Sequence, residues 1–178
     1  MVGSLLMQRI LSLLKRLLPM SFDTSAASMQ LIPSELQPDE LICSFVYNTN
    51  HVVNKTNSIH HSRLMPRRRD RKPDGHGRLE TSVCRSHLLS EVQIWEICET
   101  FFDINAPKPA IGRGEGQAET VFKVGLSFDP DGKPYHQHAN IVGWHDPGGV
   151  QDSEIKHFWM DQTQRMAPGF LYFKRPMT

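Results

Sequence analysis

Leu126-Ser127-Phe128-Asp129-Pro130-Asp131-Gly132-Lys133-Pro134-Tyr135-His136-Gln137-His138-Ala139-Asn140-Ile141-Val142-Gly143-Trp144 reads as two strands joined by a turn. In Asp129-Pro130-Asp131-Gly132, proline presets φ, glycine admits positive φ and the aspartates bond their own backbone, so the chain reverses there. The apolar and β-branched residues on either side predict strands over 126–128 and 138–144, paired as a hairpin.

Working outward, the Gly148-Gly149 break precedes a predicted second helix capped by Asp152 or Ser153, with Ile155, Phe158, Trp159, Gln162 and Met166 on one face. Pro168-Gly169 ends it, and Phe170-Leu171-Tyr172-Phe173 is a last strand. Upstream, 118–125 fits either a short helix or a strand, and the prolines and glycines of 104–117 predict a loop. Ser90 followed by Gln93 is a capping box, and Val92, Ile94, Trp95, Cys98, Phe101 and Phe102 supply the apolar face of a first helix. Strands are expected over 79–84 and 41–47. Together these elements predict an α+β domain over 39–178, in which two main helices pack on a small mixed sheet.

Residues 1–38 are expected to form a separate flexible or amphipathic segment. Leu5, Leu6, Ile10, Leu11, Leu14 and Leu18 are interrupted by Arg9, Lys15 and Arg16 before Pro19, which is too short and too charged a run to span a bilayer. The same run also fits a basic amphipathic helix lying on a membrane surface. Cys43, Cys84 and Cys98 show no Cys-x-x-Cys spacing, which argues against a disulfide framework or a thiolate zinc site and favours a reducing cytoplasm.

The net charge of +1 conceals a segregation. Between residues 63 and 85 there are eight Lys and Arg against three Asp and Glu, whereas from residue 86 onward there are eight against twelve. A local excess of this kind points to an anionic partner met at one place, with RNA or DNA foremost. Arg63, Arg67, Arg68, Arg69, Arg71 and Lys72, in a basic loop over 63–78, are the predicted phosphate contacts. The loop has no aromatic residue with which to stack bases, and a solvated linker is the bland alternative.

Three of the nine histidines fall within 136–145. On a strand, His136, His138 and Asn140 would share one face. Such a pair of imidazoles beside a cation suits metal-independent RNA cleavage, in which one takes the 2′-hydroxyl proton and the other protonates the leaving oxygen. His136 and His138 are therefore the candidate acid and base, with Arg85 or Arg113 stabilising charge. His60, His61 and Arg63 are further candidates. The bland alternative is that His138 and Asn140 satisfy buried backbone groups. A divalent metal at His136, His138 and His145 is a minor alternative, and no other cofactor is implied. Gly112, Gly114 and Gly116 would offer a phosphate cradle if Ala118 opened a helix, although neither a Walker nor a dinucleotide motif surrounds them.

Ser82-Val83-Cys84-Arg85, Ile94-Trp95, Gly112-Arg113-Gly114 and His138-Ala139-Asn140-Ile141-Val142-Gly143-Trp144 together resemble small bacterial α+β proteins without an assigned activity. The resemblance spans residues 40–165 and implies no catalytic residue. The sequence thus predicts a nucleic-acid-binding protein with a ribonuclease-like phosphodiesterase activity. A non-catalytic module docking an anionic partner, or a nucleotide-binding sensor, are the alternatives.

Overall fold

A computed structural model describes residues 35–68, 78–147 and 151–176. The expected N-terminal segment, apart from 35–38, lies outside the described residues, as do Arg69, Arg71 and Lys72 of the basic loop.

The chain runs β1 (Leu41–Val46), β2 (Val52–Val53), β3 (Ser58–Ile59), β4 (Arg67–Arg68), β5 (Leu79–Arg85), α1 (Glu91–Ile97), β6 (Gly112–Gln117), α2 (Glu119–Phe122), β7 (Ser127–Asp129), β8 (His138–Val142), α3 (Asp152–Met166) and β9 (Leu171–Lys174). Eight strands form one antiparallel path in the order β2-β3-β9-β6-β1-β5-β8-β7, and β4 pairs with the start of β5. The α+β class holds, but the sheet is neither small nor mixed. The strands missing from the sequence reading are the three of two residues each, which no periodicity can reveal, and β6, which was expected to be loop.

Three glycines disguised β6. Gly112, Gly114 and Gly116 alternate along it and face a side where the chain folds back very closely. A Cβ on Gly112 would lie 2.4 Å from the Tyr172 ring, one on Gly114 2.4 Å from Ile59 Cγ2, and one on Gly116 2.4 Å from the Gly169 carbonyl oxygen. The strand is thus glycine-rich because neighbours occupy the side-chain space. Between them, Arg113 and Glu115 point to the opposite face.

Strand alternation sorts the core into two layers. Ile42, Val46, Val83, Ala139 and Ile141 join Val121 of α2 and Ile155, Trp159 and Met166 of α3 in one cluster. Cys43, Phe45 and Cys84 join Ile94, Trp95 and Cys98 in the other, together with Tyr135. The capping box forms as the sequence predicts: Gln93 N donates to Ser90 Oγ at 3.3 Å, and Ser90 N donates to Gln93 Oε1 at 2.9 Å. A π-helical turn, Cys98–Phe102, continues α1 and carries Phe102 to within 4.8 Å of the Phe45 ring centroid. Val92, expected in the apolar face, is exposed.

In α3 the cap is Gln151 and not Asp152 or Ser153, with Glu154 completing a capping box. Its buried stripe is Ile155, Trp159, Thr163 and Met166. Thr163 is tolerated there because its hydroxyl donates to the Met160 carbonyl at 3.1 Å. Phe158 is exposed, with its ring beside His145 and His157. The β7–β8 hairpin forms in the expected place, with Phe128 opposite Ile141 and Asp129 opposite Asn140.

Candidate functional site

The β5–β8 pairing places Ser82 opposite Asn140 and Cys84 opposite His138. Alternation then puts Glu80, Ser82, His138 and Asn140 on one face and Val83, Arg85, Ala139 and Ile141 on the other. His138 and Asn140 are both buried at the floor of a cleft of about 720 Å³.

The β7–β8 connection supplies the key carboxylate. Lys133 N donates to Asp131 Oδ1 at 3.2 Å, which fixes the side chain within its turn. His138 Nδ1 lies 2.5 Å from the same oxygen, and Asn140 Nδ2 donates to Oδ2 at 3.2 Å. Ser82 Oγ in turn donates to Asn140 Oδ1 at 3.2 Å. Partial burial pushes the Asp131 carboxyl up, but hydrogen bonds from His138, the Lys133 backbone and Asn140 outweigh it and hold the group below the usual carboxylate range. An ionised carboxylate can only accept, so Nδ1 of His138 carries the proton and Nε2 is the ring atom left for chemistry. The imidazole also packs edge-on against Tyr135, with centroids 5.4 Å apart.

Cations enter the cleft from a different part of the chain. Arg63 ends a 3-10 turn, His61–Arg63, and its Nε donates to the Phe45 carbonyl. Its guanidinium lies 5.9 Å from the centre of the Tyr47 ring. Burial first, and the like charge of Arg67 second, pull Arg63 down to about 10, so it stays charged at neutral pH. Arg67 and Lys133 line the same cleft, and among the described residues no ion pair engages Arg63 or Arg67. Two neighbouring cations that make no ion pair form a site that an anion would stabilise. The acidic residue nearby, Glu80, is engaged by Arg78 Nε at 3.3 Å.

Tyr47, Phe101, Phe102 and Tyr135 add aromatic surface, and His51 brings a second imidazole. Nothing in the sequence marks these residues as a site, Phe101 and Phe102 reading only as the apolar face of the first helix, because they come from separate segments that the folded sheet and the π-turn bring together.

The other expected site residues lie elsewhere. His136 sits exposed in the turn before β8, since the chain is still reversing there and His138 N donates to the Tyr135 carbonyl at 3.0 Å. Arg85 is on the opposite face, buried against Glu40 with Nε–Oε1 2.5 Å and Nη2–Oε2 2.9 Å. Arg113 is held by Glu91 at 2.7 Å and Glu115 at 3.3 Å, and stacks near Trp95 and Phe173. Neither arginine lines the cleft. Gly112, Gly114 and Gly116 are spent on the β-ladder and on close packing, not on an open cradle. His60 caps the 3-10 turn by accepting from Ser62 N, and its ring stacks on that of His61. His145 packs against Phe158, so His136, His138 and His145 do not converge on one ion. Among the described residues no group of three or more His, Cys, Asp or Glu side chains could hold a metal. Arg68 pairs by its backbone in β4.

No protein-family model, curated protein or solved structure matches this chain. No helix among the described residues is long and apolar enough to cross a membrane.

Proposed function

We propose that the cleft binds nucleic acid and cleaves its phosphodiester backbone without requiring a metal. The observation that carries this reading is the meeting, in one cleft, of an Asp131-oriented His138 with the arginines Arg63 and Arg67. His138 Nε2 is the proton-transfer atom, and Asp131 fixes its tautomer and stabilises the charge that develops on the ring. Arg63, clamped by the Phe45 carbonyl, stabilises the charge gained by the phosphoryl oxygens. Arg67, together with the basic residues at 68–72, supplies salt-dependent attraction to the backbone. Three buried free thiols suit a reducing compartment such as the cytoplasm.

The test is to purify the protein in high salt, then incubate it with labelled RNA and DNA with and without chelator. Cleavage that survives chelator and falls by about 10²–10⁴-fold in His138→Ala is the expected result. Chelator-sensitive cleavage would replace the acid–base reading with a metal-dependent one. Binding that is lost on neutralising Arg63 and Arg67, with no cleavage by the unmodified protein, would make this a docking module and not an enzyme.

A further inference from the structure

Resting on that reading, we infer that His51 is the proton-transfer partner of His138, and that the substrate is single-stranded RNA cleaved by attack of its own 2′-hydroxyl. Four observations converge. His51 is the last residue of a short 3-10 turn, Thr49–His51, and lines the same cleft as His138, Arg63 and Arg67. Its Nδ1 is buried and makes no hydrogen bond within the protein, so no structural contact commits the ring, and Nε2 is the nitrogen that would take the substrate's proton. His60, by contrast, is committed to a cap and His145 to a ring contact.

The electrostatic surroundings of the two rings also differ. Burial and the neighbouring Arg63, His60 and Arg67 hold His51 below the usual imidazole range, so it is neutral and ready to accept a proton at neutral pH. Around His138 stand Asp131, Asn140 and the Tyr135 ring, with Lys133 lining the cleft nearby, and the carboxylate holds a proton at Nδ1 so that Nε2 is the atom that exchanges one with substrate. The ring among cations, His51, is therefore assigned the base, and the ring backed by a carboxylate, His138, the acid. Finally, Tyr47, Phe101 and Phe102 are only partly buried where they line the cleft, and such aromatic faces stack bases that are free of a duplex.

The step balances without a co-reactant. His51 takes the proton of the 2′-hydroxyl, the 2′-oxygen forms a bond to phosphorus, and the bond from phosphorus to the 5′-oxygen breaks. His138 Nε2–H delivers a proton to the departing 5′-oxygen. The products are a 2′,3′-cyclic phosphate and a free 5′-hydroxyl. Nothing is oxidised or reduced, and proton exchange with water resets the two rings.

The experiment compares the unmodified protein, His51→Ala and His138→Ala on three oligonucleotides. These are a single-stranded RNA, the same strand with one 2′-deoxy residue at the cleaved position, and the RNA carrying sulfur in place of the bridging 5′-oxygen there. Affinity for a 2′-O-methyl strand, which cannot be cleaved this way, and a melting curve establish that each variant is folded and binds. The expected results are cyclic phosphate ends, no cleavage at the deoxy position, and a loss of about 10²–10⁴-fold in each variant on the all-oxygen RNA. A thiolate leaves without a proton, so the sulfur substrate should restore His138→Ala and leave His51→Ala impaired. Equal cleavage of the deoxy strand, or a His51→Ala protein as fast as the unmodified one, overturns the inference while leaving a phosphodiesterase in place. A protein that binds all three strands and cleaves none overturns both readings.

Discussion

At the scale of single residues, two charged groups repay direct tests. Arg85 is almost fully buried and its guanidinium meets Glu40 through two hydrogen bonds. Glu40→Ala removes the carboxylate from this buried pair, which destabilises by about 3–5 kcal/mol in chemical denaturation, whereas changes at exposed ion pairs such as Lys123 with Glu119 should shift the midpoint little. The second test concerns pH. His51 and His61 are both held below the ordinary imidazole value, His51 by burial and then by Arg63, and His61 by burial and then by His60. Between about pH 6.5 and the lower values the fold imposes, the unfolded chain holds protons that the folded chain does not. Stability is therefore full above that window and falls as pH drops through it. Denaturation midpoints should decline from pH 7.5 to pH 5, and His51→Gln should flatten the decline. Asp131 acts in a separate window: its lowered carboxyl stabilises the fold above about pH 4 and ceases to do so in stronger acid.

At the scale of elements, β6 is the most exacting strand. Gly116→Ala sets a methyl group against the Gly169 carbonyl, which is backbone and cannot swing aside. Gly114→Ala meets only the Ile59 side chain. Overpacking of this kind costs about 1–3 kcal/mol, and the Gly114→Ala loss should shrink in an Ile59→Ala background, which removes all three clashing carbons, while the Gly116→Ala loss does not. Equal responses in that double-mutant cycle would refute the packing account. The same strand marks where sequence reading stopped working. Elements that carry their own signal were legible: the β7–β8 hairpin through Asp129-Pro130-Asp131-Gly132, and α1 through the reciprocal Ser90 and Gln93 cap. A strand whose residues are dictated by what presses on it from outside, as Gly112, Gly114 and Gly116 are, looks locally like a loop. The cleft follows the same rule. His138 and Asn140 were legible as one face because alternation is local, and Arg63 and Arg67 because charge clusters are. The role of His51 depends on a meeting of distant segments, Asp131 reaches His138 only through the fold of the turn between β7 and β8, and His136 was misplaced because strand alternation does not extend back past His138 into that turn.

At the scale of the whole molecule, charge is distributed so that attraction to a polyanion should be local. The described part of the basic segment contributes Arg63 and Arg67 to the cleft, while Arg78, Arg85, Arg113 and Arg175 are engaged by carboxylates. Binding to an uncleavable single strand should weaken steeply with salt, and Arg67→Ala should lower the slope of log K against log[salt] by about one unit, uniformly across sequences. The ordering of the strands has a consequence of another kind. A long antiparallel sheet ordinarily exposes rows of free amides and carbonyls along its two outermost strands, where another chain can add itself. Here the path closes on β2 at one end and β7 at the other, strands of two and three residues. Among the described residues a neighbouring molecule meets little template at either end of this path, so the same topology that assembles the cleft disfavours edge-to-edge addition into fibrils.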